Sequence, residues 1–403
     1  MFVFACVDCA NPHTLRNGDK MSYYKLADFI SLRKGKKQSE CLNSDDNAVR
    51  YIQIDDLRND DNLKFTNDEK KVLINEKDVL IAWDGANAGT IGFNLNGSIG
   101  STITAIKINE DFSNKVSAIY LGLFLRSKEK YLRERATGAT IPHIQKDSLL
   151  ELLLPLPSLS TQTKIAKILD KSTALIAKRK AQIAELDVLV QSVFLEMFGD
   201  PITNPKGWEI GKIKDVILKS QYGTSNKASE TEGEYPILRM NNITYQGEMD
   251  YSNLKYIDLD EKDKEKHLVH KGELLFNRTN SKELVGKTGL YNLDKPMAFA
   301  GYLIKIIPNK EKINSQFLLA YMNSKYIKAI LFNMAKNIIG MANINAKEME
   351  NISLYIPELN LQTQFAQIVE KIQTQKSQLQ QSLTELEIQH QALMQRAFRG
   401  ELV

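Results

Sequence analysis

The stretch Ser281 to Asn292, SKELVGKTGLYN, holds the residues whose spacing most suggests chemistry. A phosphate loop of the form G-x-x-x-x-G-K-[ST] cradles phosphates with its backbone N–H groups, sends its lysine to the outer phosphates and holds magnesium with its hydroxyl. Gly286, Lys287 and Thr288 fill the last three positions, but Ser281 stands where the first glycine belongs. A helix must follow such a loop, and Gly289 and Pro296 oppose one here. A hairpin turn exposing Lys287 is the better expectation. At the N-terminus Cys6, Cys9 and His13 begin a zinc-like set. A structural zinc needs four ligands, and Cys41 is the one obvious fourth. A loose tail over 1–20 is expected instead, with Met21 a candidate start. The paired acids Asp45-Asp46, Asp55-Asp56 and Asp60-Asp61 lie in polar turns with no partnering base. The sequence contains no G-x-S-x-G, no H-E-x-x-H, no glycine-rich dinucleotide or methyl-donor loop, and no Asn-Pro-Pro-aromatic motif for an extruded base.

The elements that would position any site come from a chain of 403 residues, long enough for two or three domains. Its 43% hydrophobic and 25% charged residues are those of a globular protein. No apolar run is long enough for a membrane span, and no signal peptide is evident. Three cysteines suggest a reducing, cytoplasmic compartment. The net charge of +4 permits a nucleic-acid partner without demanding one.

The chain is written twice. PSLSTQTKIAKILDK begins at Pro157 and PELNLQTQFAQIVEK at Pro357, and the register holds without a gap for about 40 positions. Gln162 matches Gln362, Thr163 matches Thr363, Ala166 matches Ala366 and Phe198 matches Phe398. Alternating steps of four and three from Ile165 reach Leu169, Ser172, Ile176, Arg179, Ile183, Leu186, Val190, Val193 and Met197. The same walk from Phe365 reaches Val369, Ile372, Lys376, Leu379, Leu383, Leu386, His390, Leu393 and Ala397. A 3.5-residue apolar period sustained this long is a coiled-coil seam. Each helix follows a proline and ends at a glycine, Gly199 or Gly400. About 36 residues make a rod roughly 54 Å long. The polar seam residues Ser172, Arg179, Lys376 and His390 are expected to set register rather than to do chemistry.

The regions before the helices also correspond. RYIQIDDL (50–57) aligns with PILRMNNI (236–243), and EKDVLIAWDG (76–85) with KGELLFNRTN (271–280). Short β-branched runs between turn residues make both regions mainly strand, with a helix late in each at Tyr120 to Ser127 and Phe317 to Ser324. Gly89-Thr90-Ile91-Gly92 falls opposite Gly286-Lys287-Thr288-Gly289, so the shared feature is a Gly-x-x-Gly turn. Two similar modules on a rod suit a DNA duplex carrying two half-sites. The first region offers Arg33, Lys34, Lys36, Lys37, Gln53, Trp83 and Asn87 as contacts. The second offers Arg239, Asn241, Asn242, Asn277, Arg278, Thr279, Asn280, Lys282 and Lys287. Arg and Lys suit guanine or phosphate, while Asn and Gln suit adenine. A coiled-coil scaffold that merely repeats is the reading from another class, and it predicts no salt-dependent DNA binding.

The two P-x-L-x-x-Q-x-x-[IF]-A-x-[IL] openings at Pro157 and Pro357 carry a resemblance. So do MFGD at Met197, AFRGEL at Ala397, GATIPHI at Gly138 and GMANINAKEM at Gly340. In these features the chain resembles the specificity subunit of type I restriction–modification systems, from about Tyr24 to its end. The resemblance implies an α+β chain: two mixed α/β target recognition domains, separated by two long antiparallel coiled-coil helices in a pseudo-two-fold repeat. The expected boundaries are 21–157 and 201–357 for the domains, 158–200 for the central helix and 358–403 for the distal one. It further implies a non-catalytic subunit that reads a bipartite double-stranded site, with the rod as spacer. Two modification subunits carrying S-adenosylmethionine would dock on the helices and methylate adenines, and restriction subunits carrying ATP and magnesium would cleave. This chain would hold no cofactor, metal or membrane contact.

Overall fold

The computed structural model describes residues 22–138, 140–338 and 341–402. Cys6, Cys9 and His13 lie outside them. Among the described residues no group of His, Cys, Asp and Glu side chains could hold a metal ion, and no helix is long and apolar enough to cross a membrane.

The 200-residue repeat appears as two helices, Leu159–Phe198 and Leu359–Ala397. Gly199 and Gly400 follow them with φ of +83° and +75°, the left-handed conformation that ends a helix and that glycine adopts without Cβ strain. The 3.5-residue period is visible in the exposure pattern. Between residues 170 and 185 of the central helix, only Ser172, Ile176, Arg179 and Ile183 are shielded from solvent. Ile165, Leu169, Leu186, Phe365, Val369 and Ile372 are buried. Val190, Val193, Leu379, Leu383, Leu386 and Leu393 are half-buried.

The chain forms two compact units, one of residues up to Lys178 with Leu383 onward, the other Arg179–Ser382. Each therefore holds one domain and a part of both long helices. In the first, Ile165 and Leu169 share a core with Met394 and Ala397 while Ser172 lies 3.1 Å from His390, so the helices run antiparallel. In the second, Phe194 and Phe198 share a core with Phe365 and Val369, and Asp187 lies 2.5 Å from Lys376, again antiparallel. The polar seam residues thus find partners. Lys376 also reaches Glu248, at 2.7 Å. Burial acts to lower the Lys376 pKa, but the two carboxylates outweigh it and the net shift is upward. The His390 imidazole is held below its ordinary value by burial first and Arg126 second.

Each domain repeats one topology. In the first, the strands Ile30–Lys34, Ile103–Ile108, Val79–Ala82 and Ile91–Phe93 lie side by side in that order, all antiparallel. A second sheet orders Phe65–Thr66, Val49–Ile52, Gly97–Ile99 and Leu73–Ile74, its central pair parallel. In the second domain the equivalent sheets are Ile217–Tyr222, Leu303–Pro308, Leu274–Asn277, Thr288–Leu290 and Lys255–Ile257, Tyr235–Leu238, Met297–Phe299, Leu268–Val269. Their central pair, Tyr235–Leu238 with Met297–Phe299, is also parallel. A two-stranded ribbon closes each domain where the long helix begins: Ser22–Lys25 with Leu153–Leu156, and Glu209–Lys212 with Ser353–Ile356.

The motif glutamine ties each domain to its helix. Gln162 is fully buried, accepts from the Ser117 N–H at 2.9 Å and donates to the Lys115 and Pro157 carbonyls at 2.7 and 2.9 Å. Gln362 accepts from the Asn314 N–H and donates to the Pro357 carbonyl, both at 2.8 Å. Ser117 and Asn314 are the N-cap residues of the helices Ala118–Ser127 and Ser315–Met322. An aromatic plug completes each core. Phe198 lies 4.8 Å from Phe317 and 5.4 Å from Phe365, ring centre to ring centre. Phe398 lies 5.4 Å from Tyr120 and 5.3 Å from Phe124. The C-terminal end of the central helix therefore seals the second domain, and that of the distal helix seals the first. This gives the MFGD and AFRGEL segments the same mechanical role.

Candidate nucleic-acid interface

Past the end of one central strand, each domain builds the same small backbone frame. In the first domain Trp83 donates its N–H to Thr102 O at 2.8 Å and accepts from Ile144 N at 3.0 Å, and Asp84 bridges His143. In the second, Arg278 donates to Tyr302 O at 3.0 Å and accepts from Ile344 N at 2.9 Å, and Thr279 pairs with Asn343. The frames coincide under the repeat, Trp83 on Arg278 and Asp84 on Thr279.

The side chains on this frame differ. In the first domain His143 Nδ1 lies 2.6 Å from Asp84 Oδ1, and Lys34 Nζ donates to Asp84 Oδ2 at 3.0 Å. Burial acts to raise the Asp84 carboxyl pKa, but the hydrogen bonds from His143 and Lys34 prevail and hold it below the ordinary value. In the second domain Thr279 Oγ1 donates to Asn343 Oδ1 at 3.0 Å, and the Arg278 guanidinium lies 4.9 Å from the Tyr222 ring centre. Large apolar side chains flank both clusters in the open: Ile141 in the first, Met341 and Tyr302 in the second. Donors, acceptors and apolar groups beside a strand end are the inventory that reads base edges.

Of the residues picked from the sequence, this frame gathers Lys34, Trp83, Arg278 and Thr279. Arg33, Lys36, Lys37 and Asn241 are exposed elsewhere on the domains, and Gln53 is half-buried. Asn87 accepts from Arg58 at 2.9 Å, and Arg239 donates to Asn253 Oδ1 at 3.1 Å. Asn280 accepts from the Ser281 N–H, and Lys282 lies 4.4 Å from the Phe332 ring centre. Thr279 is itself buried, its hydroxyl engaged with Asn343, so that it serves the frame rather than the open surface, and three further expectations fail on burial. Asn242 is buried and its amide donates to the Asp250 and Asn253 carbonyls, holding a turn. Asn277 is fully buried in its strand and cannot meet a base edge.

Lys287 is the third. It is not exposed on a hairpin turn: it is buried, and its ammonium donates to the carbonyls of Met240 and Ile243 at 3.1 and 2.5 Å. Those are carbonyls at a short 3-10 helix, Met240–Asn242, which the amine caps. Burial depresses the Lys287 pKa. The turn glycines themselves behave as read: Gly89 and Gly286 have φ of +90° and +84°. The reading missed Asp84, His143, Tyr222, Tyr302 and Asn343 as members of a cluster. The aligned pairs Asp84/Thr279 and His143/Asn343 were the available signal, since opposed polar residues at repeated positions mark a shared frame.

A family model described as the type I restriction modification DNA specificity domain matches the chain twice, over residues 18–187 and 205–388. The type I restriction enzyme MjaVIII specificity subunit of Methanocaldococcus jannaschii is 28% identical over 381 residues, spanning 89% of this chain and 88% of that protein. The EcoKI specificity subunit of Escherichia coli is 23% identical over 286 residues, spanning 66% of this chain and 61% of its own length. A solved chain from work on complex assembly and conformational transition of the type I R-M system superposes with a TM-score of 0.61 at 18% identity, covering 96% of this chain and all of the other. The S subunit from M. genitalium gives 0.56 at 15% identity, covering 96% and 98%. With the model matching once on each half, across most of the described residues, this chain belongs to the type I restriction–modification DNA specificity family.

Proposed function

We propose that each domain reads one part of a bipartite duplex site through the frame at Trp83–Asp84 and Arg278–Thr279, and that the chain itself performs no catalysis. The observation that carries this reading is the pairing of one backbone frame with unlike side chains. A shared frame places both clusters alike on a duplex, and unlike side chains select different base pairs. The paired helices would dock two modification subunits carrying S-adenosylmethionine, and restriction subunits carrying ATP and magnesium would join that complex. The double family match favours this reading over a scaffold that happens to repeat.

The test is sequencing of methylated adenines in host DNA with and without this chain, together with an exchange of residues 207–340 for the equivalent region of a relative. The expected result is a two-part methylated motif that disappears without the chain, with the exchange altering one part only. If both parts change together, the two-reader assignment is wrong.

A further inference from the structure

Arg278 differs from the other cations near the candidate interface. Lys34 is neutralised by Asp84, Lys287 is buried under carbonyls, Lys282 lies against Phe332, and Arg239, whose Nε is buried without a partner like that of Arg278, spends its Nη2 on Asn253. Arg278 pairs with no carboxylate among the described residues. Among those residues the guanidinium makes one hydrogen bond, from Nη1 to Gly301 O at 3.4 Å, long for such a bond. Its Nε is buried without a partner, so the stem is held inside the domain while the charge is not cancelled. The guanidinium lies over the Tyr222 ring, 4.9 Å from its centre. The Tyr222 ring is itself fixed, because its hydroxyl accepts from the Ala346 N–H at 2.9 Å at the start of the helix Ala346–Glu350. The ring restricts where the donor fork can lie before any ligand arrives, which lowers the entropy lost on binding.

Resting on the proposed reading of DNA, we infer that Arg278 is a specificity-determining residue that donates two hydrogen bonds to O6 and N7 of one guanine in the part of the site read by the second domain, with Tyr222 as its positioning residue. A guanine edge offers two acceptors side by side and matches the fork; a phosphate accepts the same fork but carries no sequence information, and the selection below separates the two. The first domain has Trp83 at the equivalent position, which carries no such fork, so it makes no matching guanine contact there.

The experiment compares the chain with Arg278→Lys and Tyr222→Leu, each assembled with its modification partner and selected on a randomised duplex pool, with thermal unfolding confirming the fold of each variant. Lysine keeps the charge and loses the fork. The expected result is that one G·C position in one half of the selected motif becomes degenerate in Arg278→Lys, with discrimination falling roughly tenfold or more. The other half stays unchanged. Tyr222→Leu should relax the same position to a lesser degree, with binding to scrambled duplex unaltered. If Arg278→Lys retains the motif, or weakens cognate and scrambled DNA equally, Arg278 is at most a phosphate contact and the inference falls while the two-reader assignment stands. If both halves of the motif change, or the unaltered complex selects no motif, the proposed function falls with it.

Discussion

At one pair of equivalent positions the first domain buries Thr90 and the second buries Lys287. Thr90 Oγ1 donates to Asn87 O at 2.9 Å and accepts from Arg58 at 3.0 Å, while Lys287 spans to the carbonyls of Met240 and Ile243. A second pair shows the same contrast: Ala105 is buried in the first domain, and Lys305, buried at its place in the second, donates to Leu268 O at 2.7 Å. Gln162 and Gln362 keep both type and role. The residues that tie a domain to its helix repeat, because the helix start is the same in both copies. Interior polar positions are free to differ provided each buried donor finds an acceptor. A buried ammonium here marks a packing solution, and its charge does not advertise a DNA contact.

The comparison breaks most visibly at the aromatic plugs. Phe198→Ala should destabilise the second domain by about 3–5 kcal/mol, since the ring is fully buried among other rings. Phe398→Ala should cost distinctly less in the first domain, because that ring is half-buried. Urea unfolding followed by near-UV circular dichroism reads both, and equal losses would show that the two plugs are not graded by burial. The glutamines come next. Gln162→Ala should cost more than Gln362→Ala, three hydrogen bonds against two, at about 1–3 kcal/mol for each buried group left unpaired. Lys287→Met should lower stability by about 1.5–3 kcal/mol through its charged hydrogen bonds. It should leave the salt dependence of DNA binding unchanged, whereas a phosphate contact would reduce the slope by about one. A reduced slope would restore Lys287 to the interface.

The smallest effect separates the two polar seam contacts. Burial and Arg126 hold His390 below its ordinary value of 6.5 in the folded chain. As pH falls through 6.5 the unfolded chain takes up a proton that the folded chain refuses, so stability declines from there down to the lower folded value. Lys376, shifted upward, contributes no slope in that range. Thermal unfolding between pH 7.5 and roughly 5 should show a shallower acid decline in His390→Gln than in the parent chain. An identical decline would place the acid sensitivity elsewhere.

The long helices were legible because a helix 40 residues long must show its 3.5-residue period in the order of its own side chains. Register, caps and the repeat are all local in sequence, and the seam residues from Ile165 to Leu393 are shielded as the stepping required. The strands and the glycine turns at Gly89 and Gly286 were legible for the same reason. Pairing was not. Nothing in the order of residues joins Phe398 to Tyr120, or Gln362 to Asn314, because those contacts close loops far longer than any periodic signal.

The candidate interface divides along the same line. The sequence by itself determined the two-copy organisation, the coiled-coil seam and the family resemblance, since these depend on residue type and spacing. Only the tertiary structure decided which polar side chains face solvent. Lys287 and Arg278 are both cations in the same ten-residue stretch and look alike in sequence. One folds back under the carbonyls of a 3-10 turn, and the other lies over the Tyr222 ring and meets no carboxylate among the described residues. The difference comes from burying an amine where carbonyls converge and placing a guanidinium over an aromatic ring, and both depend on strands and helices distant in the chain.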